Sequence, residues 1–290
     1  LYKGIQTGRS TTELLPEIID EAIKKLPIPK PMRWSDKTTE FSRPVHWIVL
    51  LFGNEVIEAE ILGKKAGRMT YGHRFLAPVA IELKNAVDYE SVLAKSFVLV
   101  NPITRRDEIK KQVTAIAEPL KATAMMPDSL LDEVNALVEY PTAMLATFDN
   151  SFLEVPKEAL ISAMHGHQKS FPLKNADGEL LPNFIFISNL HTQNPQAIIT
   201  GNEKVMRARL ADAKFFYDTD TQHSLESFLP KLKNVTFQVK LGTAFERAQR
   251  ISALAGFIAL QLKLDVKDIK LAERAGFDYR ALTAFESQIM

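Results

Sequence analysis

The apolar residues near the start of the chain recur at helical spacing. Ser10, with Glu13 three residues later, forms a capping-box pair that predicts a helix start. Apolar residues from Leu14 to Leu26 then repeat every three to four positions, as one face of a helix requires. The prolines of "LPIPKP" (26–31) end this helix, because proline cannot continue it.

A second helical pattern occurs late in the chain. Thr243 and Glu246 form another capping box. The apolar residues that follow are expected to make the buried face of a long helix, and they are Ile251, Leu254, Ala255, Ile258 and Leu262. Between the two ends, "RRDEIKKQVTAIAEPL" (105–120) also predicts a helix, with Thr104 as its N-cap.

Short apolar runs predict strands between these helices. "VHWIVLLF" (45–52) is followed by Gly53 and Asn54, a pair typical of a hairpin turn, and then by a second strand. The first of these strands is so continuously apolar that we expect it to be buried on both sides. "NFIFISNL" (183–190) predicts another buried strand.

This mixture of elements predicts an α+β fold class. Helices and strands alternate up to about residue 220, and the remainder reads as helical. We therefore expect an α+β domain over residues 1–220, followed by the beginning of an all-helical domain over 221–290. Because the sequence starts at Leu1 rather than at Met, it is interpreted as a central fragment of a longer protein.

Composition restricts the classes of function. The net charge is +1, so any nucleic-acid binding would come from a local patch and not from the overall field. The chain has no cysteine, which excludes disulfides, thiolate metal sites and a cysteine nucleophile and fits a cytoplasmic protein. No apolar stretch approaches the roughly 20 residues of a membrane span, and no membrane partner is expected.

The strongest candidate for chemistry is "GNEKVMRARLADAKFFYDTD" (201–220), in which three basic residues precede three aromatic ones. Its basic residues are Lys204, Arg207 and Arg209, and its aromatic residues are Phe215, Phe216 and Tyr217. Basic and aromatic side chains together are what an RNA-binding surface needs. On a helix, however, Arg209 can pair with Asp212, and the aromatic rings are expected to pack in the core. Phosphate contacts and internal salt bridges are both open alternatives for this segment.

A second cationic group lies in "GRMTYGHRF" (67–75). Arg68, His73 and Arg74 stand near two glycines, which allow backbone amides to approach a phosphate closely. The alternative is an ordinary connection between strands with exposed charges. No Walker-type loop and no dinucleotide-binding glycine motif occurs, so an ATP site of those kinds is not expected.

"MHGHQKSFP" (164–172) contains the pair of histidines most similar to metal ligands. His165 and His167 are two residues apart, so on a helix they point to different faces, and no third ligand is evident. We expect no metal here and no catalytic residue in the chain. His167 and Lys169 are instead candidates for a polar contact with a partner.

Many segments, in order along the chain, carry a resemblance to a known family. They include "LPIPKPMRW", "RPVHWIVLLFGNEVI", "GHRFLAP", "LLDEVNALVEYP", "FLEVPKEALISAMHGHQKSFPL", "LLPNFIFISN", "GNEKVMRARLADAKFFYDTD" and "LGTAFERAQRISALAGFIA". Together they resemble the β subunits of bacterial tetrameric glycyl-tRNA synthetases, from about residue 1 to about residue 275.

The resemblance implies a function and two partners. The family joins glycine to tRNA(Gly) with ATP and Mg, at a site on the separate α subunit, so no cofactor is expected in this chain. The partners implied are the α subunit and tRNA(Gly), with no DNA. The resemblance also implies a domain similar to the B3/B4 domain of the phenylalanyl-tRNA synthetase β subunit. A helical domain related to HD phosphohydrolases, but without a working metal site, would follow it.

The residues expected to contact the tRNA backbone are the cations named above. They are Lys204, Arg207, Arg209, Arg68, His73, Arg74, His167 and Lys169. Two alternatives remain open. The first is a tRNA-editing-like hydrolase that uses His165 and His167, and the second is an assembly scaffold that binds only protein.

Overall fold

A computed structural model describes residues 8–34 and 38–289 of the chain, with side chains as far as residue 278. The fold divides into two compact units. The first contains the described residues up to Phe148 together with Met164–Lys204, and the second contains Asp149–Ala163 and the described residues from Val205 onward. The predicted domain boundary between residues 220 and 221 stays a prediction.

Helices and strands are mixed along the described residues, which confirms the α+β class. The α-helices are α1 (Thr11–Lys24), α2 (Tyr89–Lys95), α3 (Pro102–Ala117), α4 (Asp128–Leu137), α5 (Lys157–Gly166), α6 (Gln196–Thr221), α7 (Leu225–Phe228), α8 (Ala244–Gln261) and α9 (Val266–Ile289). The strands are β1 (Met32–Arg33), β2 (Glu40–Phe41), β3 (Ile48–Val49), β4 (Leu51–Phe52), β5 (Glu55–Val56), β6 (Glu60–Ile61), β7 (Lys64–Gly67), β8 (Met69–Tyr71), β9 (Ala80–Glu82), β10 (Thr123–Ala124), β11 (Thr142–Thr147), β12 (Phe171–Lys174), β13 (Leu180–Ser188), β14 (Thr236–Gln238) and β15 (Gly242–Thr243). In the part of the chain that the structure describes, no helix combines the length and the apolar character that crossing a bilayer would require.

The core of the first unit lies between a four-stranded antiparallel sheet and two helices. The sheet has the order β10-β12-β13-β11. Helices α3 and α4 pack on one face of it, where Ile109, Leu131 and Phe171 are completely buried. Strand β13 contains residues 183–188 of the predicted run "NFIFISNL" and buries Phe184, Ile185 and Phe186, so a buried strand is confirmed there, although it ends two residues earlier than predicted.

Local signals located most helix starts correctly. The capping box at Ser10 is present, with its hydroxyl accepting a hydrogen bond from the Glu13 amide at 3.4 Å. The predicted cap at Thr104 is wrong. Asn101 is the N-cap of α3, because its side-chain oxygen accepts hydrogen bonds from the amides of Ile103 and Thr104, and Pro102 occupies the first helical position.

The hairpin predicted around Gly53 and Asn54 is confirmed. Strands β4 and β5 pair antiparallel across this two-residue turn, and Gly53 has a positive φ of 63°. The expected burial of the preceding apolar run on both sides is wrong, because Trp47 and Phe52 are exposed. The run is split between β3, which pairs with β7, and β4, which pairs with β5. Its side chains therefore do not belong to one continuous central strand.

The second unit is mainly helical, but the all-helical prediction for residues 221–290 is wrong in one segment. Strands β14 and β15 form a small antiparallel hairpin in front of α8. The sequence "VTFQV" (235–239) is rich in β-branched and aromatic residues, which favour strands. Gly242 supplies the positive φ, 85°, that the chain needs before Thr243 caps α8.

The predicted apolar face of α8 is only partly confirmed, because Ile251 and Ala255 are partly buried but the fully buried side of the helix is a different one. Its buried residues are the small ones, Ala248, Gly256 and Ala259, on the side that packs against α9. A Cβ at Gly256 would come within 2.6 Å of Glu273 Cγ, so the two helices approach closely at this position. Three large residues of the predicted face are exposed instead, and they are Leu254, Ile258 and Leu262.

Candidate nucleic-acid interface

The loop between β8 and β9 holds His73 and Arg74 of the first group of predicted cations, and Arg68 lies directly before β8. His73 is only 1% exposed, and both of its ring nitrogens have partners within the protein. Its Nε2 lies 2.6 Å from the Asn189 carbonyl oxygen, and its Nδ1 accepts hydrogen bonds from the amides of Phe75 and Leu76. The imidazole therefore fixes the loop to the end of β13. Its predicted contact with RNA stays a prediction.

Glycine is required at the start of this loop because the backbone passes close to another segment. A Cβ at Gly72 would lie 2.5 Å from Ser96 Cβ and 2.6 Å from the Ser96 carbonyl oxygen. The adjacent His73 amide donates a hydrogen bond to the same carbonyl at 2.9 Å. The predicted role of this glycine was to let backbone approach a phosphate, whereas here it lets backbone approach backbone.

The two arginines of the group differ in their availability. The Arg68 guanidinium donates to the carbonyl oxygens of Asn54 at 3.0 Å and Leu83 at 3.4 Å, which ties it to the neighbouring turns. Arg74 is exposed and, among the described residues, makes no hydrogen bond or ion pair. It lines a pocket of about 570 Å³ beside Phe75, an exposed ring that the sequence reasoning missed. The sequence feature that could have identified Phe75 is its position directly after an arginine in a glycine-bearing loop.

The end of α5 carries the histidine pair. His165 is partly buried, and its Nε2 atom has no hydrogen-bond partner among the described residues. His167 is exposed, and Lys169 forms an ion pair with Glu133 at 2.9 Å. Within the described residues, no group of three or more histidine and carboxylate side chains is arranged to hold a metal ion.

Acidification is expected to destabilise the fold through His165. Burial lowers the pKa of this imidazole below its ordinary value of 6.5, and a backbone hydrogen bond with Met125 opposes the shift. The unfolded chain therefore binds the proton more readily than the folded chain. Consequently, the free energy of unfolding falls as the pH drops below about 6.5, until the folded-state pKa is passed.

The measurement is urea unfolding between about pH 5 and pH 8. His165→Gln is expected to flatten this part of the pH dependence, because it removes the titrating group. His167→Gln, at an exposed neighbouring position, is the matched control and is expected to leave the dependence unchanged. An unaltered pH dependence in His165→Gln would show that the burial of this ring does not matter.

The third group of predicted cations lies on α6. Lys204, at the end of the first unit, is exposed and has no partner among the described residues. The neighbouring Glu203 is committed elsewhere, because its Oε1 accepts hydrogen bonds from both the amide and the hydroxyl of Thr147 at 3.0 Å. The Lys204 ammonium is thus available to an external anion.

Arg207 and Arg209 belong to the second unit, and both are exposed. Arg207 makes no hydrogen bond or ion pair among the described residues. Hydrogen bonds from Ser151 are the main cause of the lowered pKa of Asp149, and the charge of Arg207 is the smallest contribution to it. Arg209 pairs with Asp212 at 3.7 Å, as expected, but both side chains are more than half exposed. Such an exposed pair contributes only about 0.3 kcal/mol to stability. Arg209 is therefore available to an external anion.

The predicted core packing of the aromatic residues is wrong. Phe215 is 64% exposed, and Phe216 and Tyr217 are also exposed. The rings of Phe215 and Phe216 meet edge to face, with centroids 5.6 Å apart. The helix instead buries Met206 and Leu210, which lie on the side opposite to Phe215.

The exposed arginines and phenylalanines lie on the half of α6 that faces away from Met206 and Leu210. At about 100° per residue, Phe215 falls near the middle of that half, and Arg207 and Arg209 fall at its two edges. We call Arg207, Arg209, Phe215 and Phe216 the α6 surface. Along the helix axis, Phe215 lies about 9 Å beyond Arg209 and about 12 Å beyond Arg207. The α6 surface thus offers cations for phosphates and, about two turns further on, exposed aromatic rings for bases, which is the combination that single-stranded or looped RNA requires.

Comparisons with known proteins agree on one family. The sequence model described as "Glycyl-tRNA synthetase beta subunit" matches residues 1–281. The chain is 51% identical over 261 residues to the glycine–tRNA ligase beta subunit of Chromohalobacter salexigens. The aligned region covers 90% of this chain and 38% of that protein. It is 50% identical over 276 residues to the same subunit of Pseudoalteromonas atlantica, covering 95% of this chain and 40% of that protein.

The relative from Pseudomonas aeruginosa PAO1 is 46% identical over 274 residues, covering 94% of this chain and 40% of that protein. The chain therefore spans about two fifths of the length of the curated relatives that it matches. The match of the family model over nearly the whole chain, together with these identities, shows that the chain belongs to the glycyl-tRNA synthetase beta subunit family.

Proposed function

We propose that this chain is the part of a glycine–tRNA ligase β subunit that contacts the tRNA backbone and supports assembly with the α subunit. The observation that carries the proposal is the α6 surface, where exposed cations and exposed aromatic rings follow one another along one helix. In a protein with a net charge of only +1, such a surface is a local feature and not a consequence of overall charge. Its role would be to neutralise phosphates and give affinity without reading sequence.

In this proposal, the chemistry of aminoacylation belongs to the α subunit. Glycine, ATP and Mg would bind there, and the chain described here would contribute no catalytic residue. The partners would be that subunit and tRNA(Gly), and the complex would act in the cytoplasm. The relatives' name supports the reaction class, because each is a glycine–tRNA ligase beta subunit.

The domain assignments belong to the same proposal. The first unit, with helices α3 and α4 on one face of an antiparallel sheet, would correspond to the B3/B4-like domain. The helical second unit would be the beginning of the HD-like domain. The support is the mixed composition of the first unit and the mainly helical composition of the second.

The test is a titration of the purified chain with tRNA(Gly) and with a non-cognate tRNA, at low and at moderate salt. Binding through phosphates is expected to weaken steeply as salt rises, because each contact releases condensed counterions. Similar affinities for the two tRNAs would agree with backbone contacts alone. Failure to bind either RNA, even at low salt, would contradict the proposal.

An assembly scaffold is the second candidate, and one observation favours it. Helix α8 exposes three large apolar residues on the side away from α9: Leu254, Phe257 and Leu260. Contiguous exposed apolar residues of this kind mark protein–protein contacts. Retention of the α subunit by the immobilised chain, combined with no RNA binding, would support the scaffold over the tRNA contact.

A further inference from the structure

A second cationic surface lies in the second unit, in residues that the sequence reasoning did not select. It consists of Lys233, Lys240, Arg247 and Arg250, which surround the β14–β15 hairpin and the first turns of α8. We call these four residues the hairpin surface. Between residues 233 and 250 they are accompanied by one acidic residue, Glu246, so that 18 residues carry a net charge of +3 while the whole chain carries +1.

None of the four cations forms an ion pair with a carboxylate among the described residues. Glu246, the acidic residue of the segment, is occupied by the helix cap, where it accepts a hydrogen bond from the Thr243 amide at 2.7 Å. The positive charges of the hairpin surface are therefore not neutralised within the described part of the unit. An unneutralised cluster attracts anions, and most strongly those with several charges in a row.

Contacts hold three of the cations in fixed positions. The Arg247 guanidinium lies 4.0 Å from the centroid of the Phe237 ring, and Lys233 Nζ lies 5.0 Å from that of Phe245. Arg250 donates a hydrogen bond to the Leu241 carbonyl oxygen at 3.0 Å. These contacts orient the side chains without cancelling their charge, so less conformational entropy is lost when a ligand binds.

The tip of the hairpin adds an exposed apolar element between the cations. Val239 is 92% exposed, Leu241 is also exposed, and the Phe237 ring is exposed beneath Arg247. Lys240 lies between Val239 and Leu241 at the turn. A strand of RNA offers matching chemistry, since phosphates alternate with ribose and base faces that contact apolar and aromatic side chains.

We infer that the hairpin surface is a second binding site for the RNA phosphodiester backbone, separate in sequence from the α6 surface. This inference rests on the proposed function and extends it to residues 233–250. RNA is favoured over an anionic membrane because only two aliphatic side chains stand at the tip, and because the family acts on tRNA. The two guanidinium groups are also held in place, which suits the planar, two-point recognition of a phosphate.

The experiment compares two charge-reversed variants of the chain. Lys233→Glu with Lys240→Glu reverses two cations of the hairpin surface. Lys267→Glu with Lys270→Glu makes the same change in charge on exposed residues of α9, at the start of that helix, and serves as the control. Titration with tRNA(Gly) over a series of salt concentrations gives the affinity and its salt slope, and circular dichroism checks that both variants are folded.

The hairpin variant is expected to bind tRNA about tenfold or more weakly at low salt, with the salt slope reduced by about 1.5, as expected for two lost phosphate contacts. The control is expected to stay within about twofold of the unmodified chain, because its cations lie outside the surface. If both variants lose the same affinity, the effect is one of net charge and the inference is wrong.

The proposed function fails separately, and visibly, if the unmodified chain binds no tRNA. The inference alone fails under a different result. In that result, the unmodified chain binds tRNA and the variant Arg207→Ala with Arg209→Ala binds it more weakly, but the hairpin variant binds it as tightly as the unmodified chain does. Vesicles containing about 30% phosphatidylglycerol form the last arm of the experiment. Binding of the hairpin surface to these vesicles but not to tRNA would assign it to a membrane and overturn the inference.

Discussion

Replacing His73 by alanine is expected to lower the free energy of unfolding of the first unit by about 3–5 kcal/mol. The side chain is completely buried, and its removal leaves the Asn189 carbonyl oxygen and the amides of Phe75 and Leu76 without their partner. A buried polar group left unsatisfied costs about 1–3 kcal/mol, and the cavity adds to that cost. The change is therefore among the most destabilising single substitutions available in this loop.

Urea unfolding followed by tryptophan fluorescence measures this effect. Both tryptophans of the chain, Trp34 and Trp47, lie in the first unit, and the Trp47 ring is 4.7 Å from that of Tyr71, two residues before His73. His167→Ala, at an exposed histidine, is the control and is expected to change stability by less than about 0.5 kcal/mol. Equal stabilities for the two variants would mean that His73 does not anchor the loop.

Replacing Arg207 and Arg209 together by alanine is expected to weaken tRNA binding about ten- to a hundredfold at low salt. Both guanidinium groups are exposed, and the only carboxylate that either pairs with among the described residues is that of Asp212, at the long distance of 3.7 Å. Their loss should also reduce the slope of log affinity against log salt by roughly 1.4–1.8, because two phosphate contacts disappear. Stability should change little, since neither side chain contributes to the core.

The control for this prediction removes the same charge elsewhere in the second unit. Lys267→Ala with Lys270→Ala is expected to leave the affinity within about twofold, since these exposed lysines lie outside both proposed surfaces. If the arginine variant binds tRNA as tightly as the unmodified chain, with the same salt slope, then the two arginines have no part in RNA binding.

Features that depend on local chemistry could be predicted from the sequence. Both capping boxes, at Ser10 and Thr243, and the hairpin turn at Gly53 and Asn54 form as expected. Each is determined by hydrogen bonds or backbone angles within a few residues, and these are written directly in the residue types. The α3 cap was predicted at Thr104, three residues too late, because threonine also favours the N-cap position that Asn101 occupies in the structure.

Features that depend on packing could not be predicted in the same way. Periodicity identified an apolar face on α8, but the side that packs on α9 is the one made of Ala248, Gly256 and Ala259. Close helix packing selects small residues, and their weak hydrophobicity hides them beside Leu254 and Phe257.

The candidate sites illustrate the same limit. The residue types in "GRMTYGHRF" (67–75) suggested three similar cationic side chains, Arg68, His73 and Arg74, whereas the structure buries His73 and exposes Arg74. The sequence cannot show which long-range partner a side chain meets, and the partner of His73 is Asn189, 116 residues away. Exposure of Phe215 was missed for a related reason, because an aromatic residue on a helix is more often in the core.

The most direct test of the central proposal asks whether the α6 surface touches tRNA. The photoreactive residue p-benzoyl-phenylalanine, introduced at Phe215, would lie on the exposed half of α6, about 9 Å along the helix axis from Arg209. The same residue at Leu271, an exposed position on α9, is the control. Irradiation of the chain with bound tRNA(Gly) is predicted to give a covalent protein–RNA product from position 215 and little from position 271. A chain that binds tRNA(Gly) but gives no more product from position 215 than from position 271 would contradict the account.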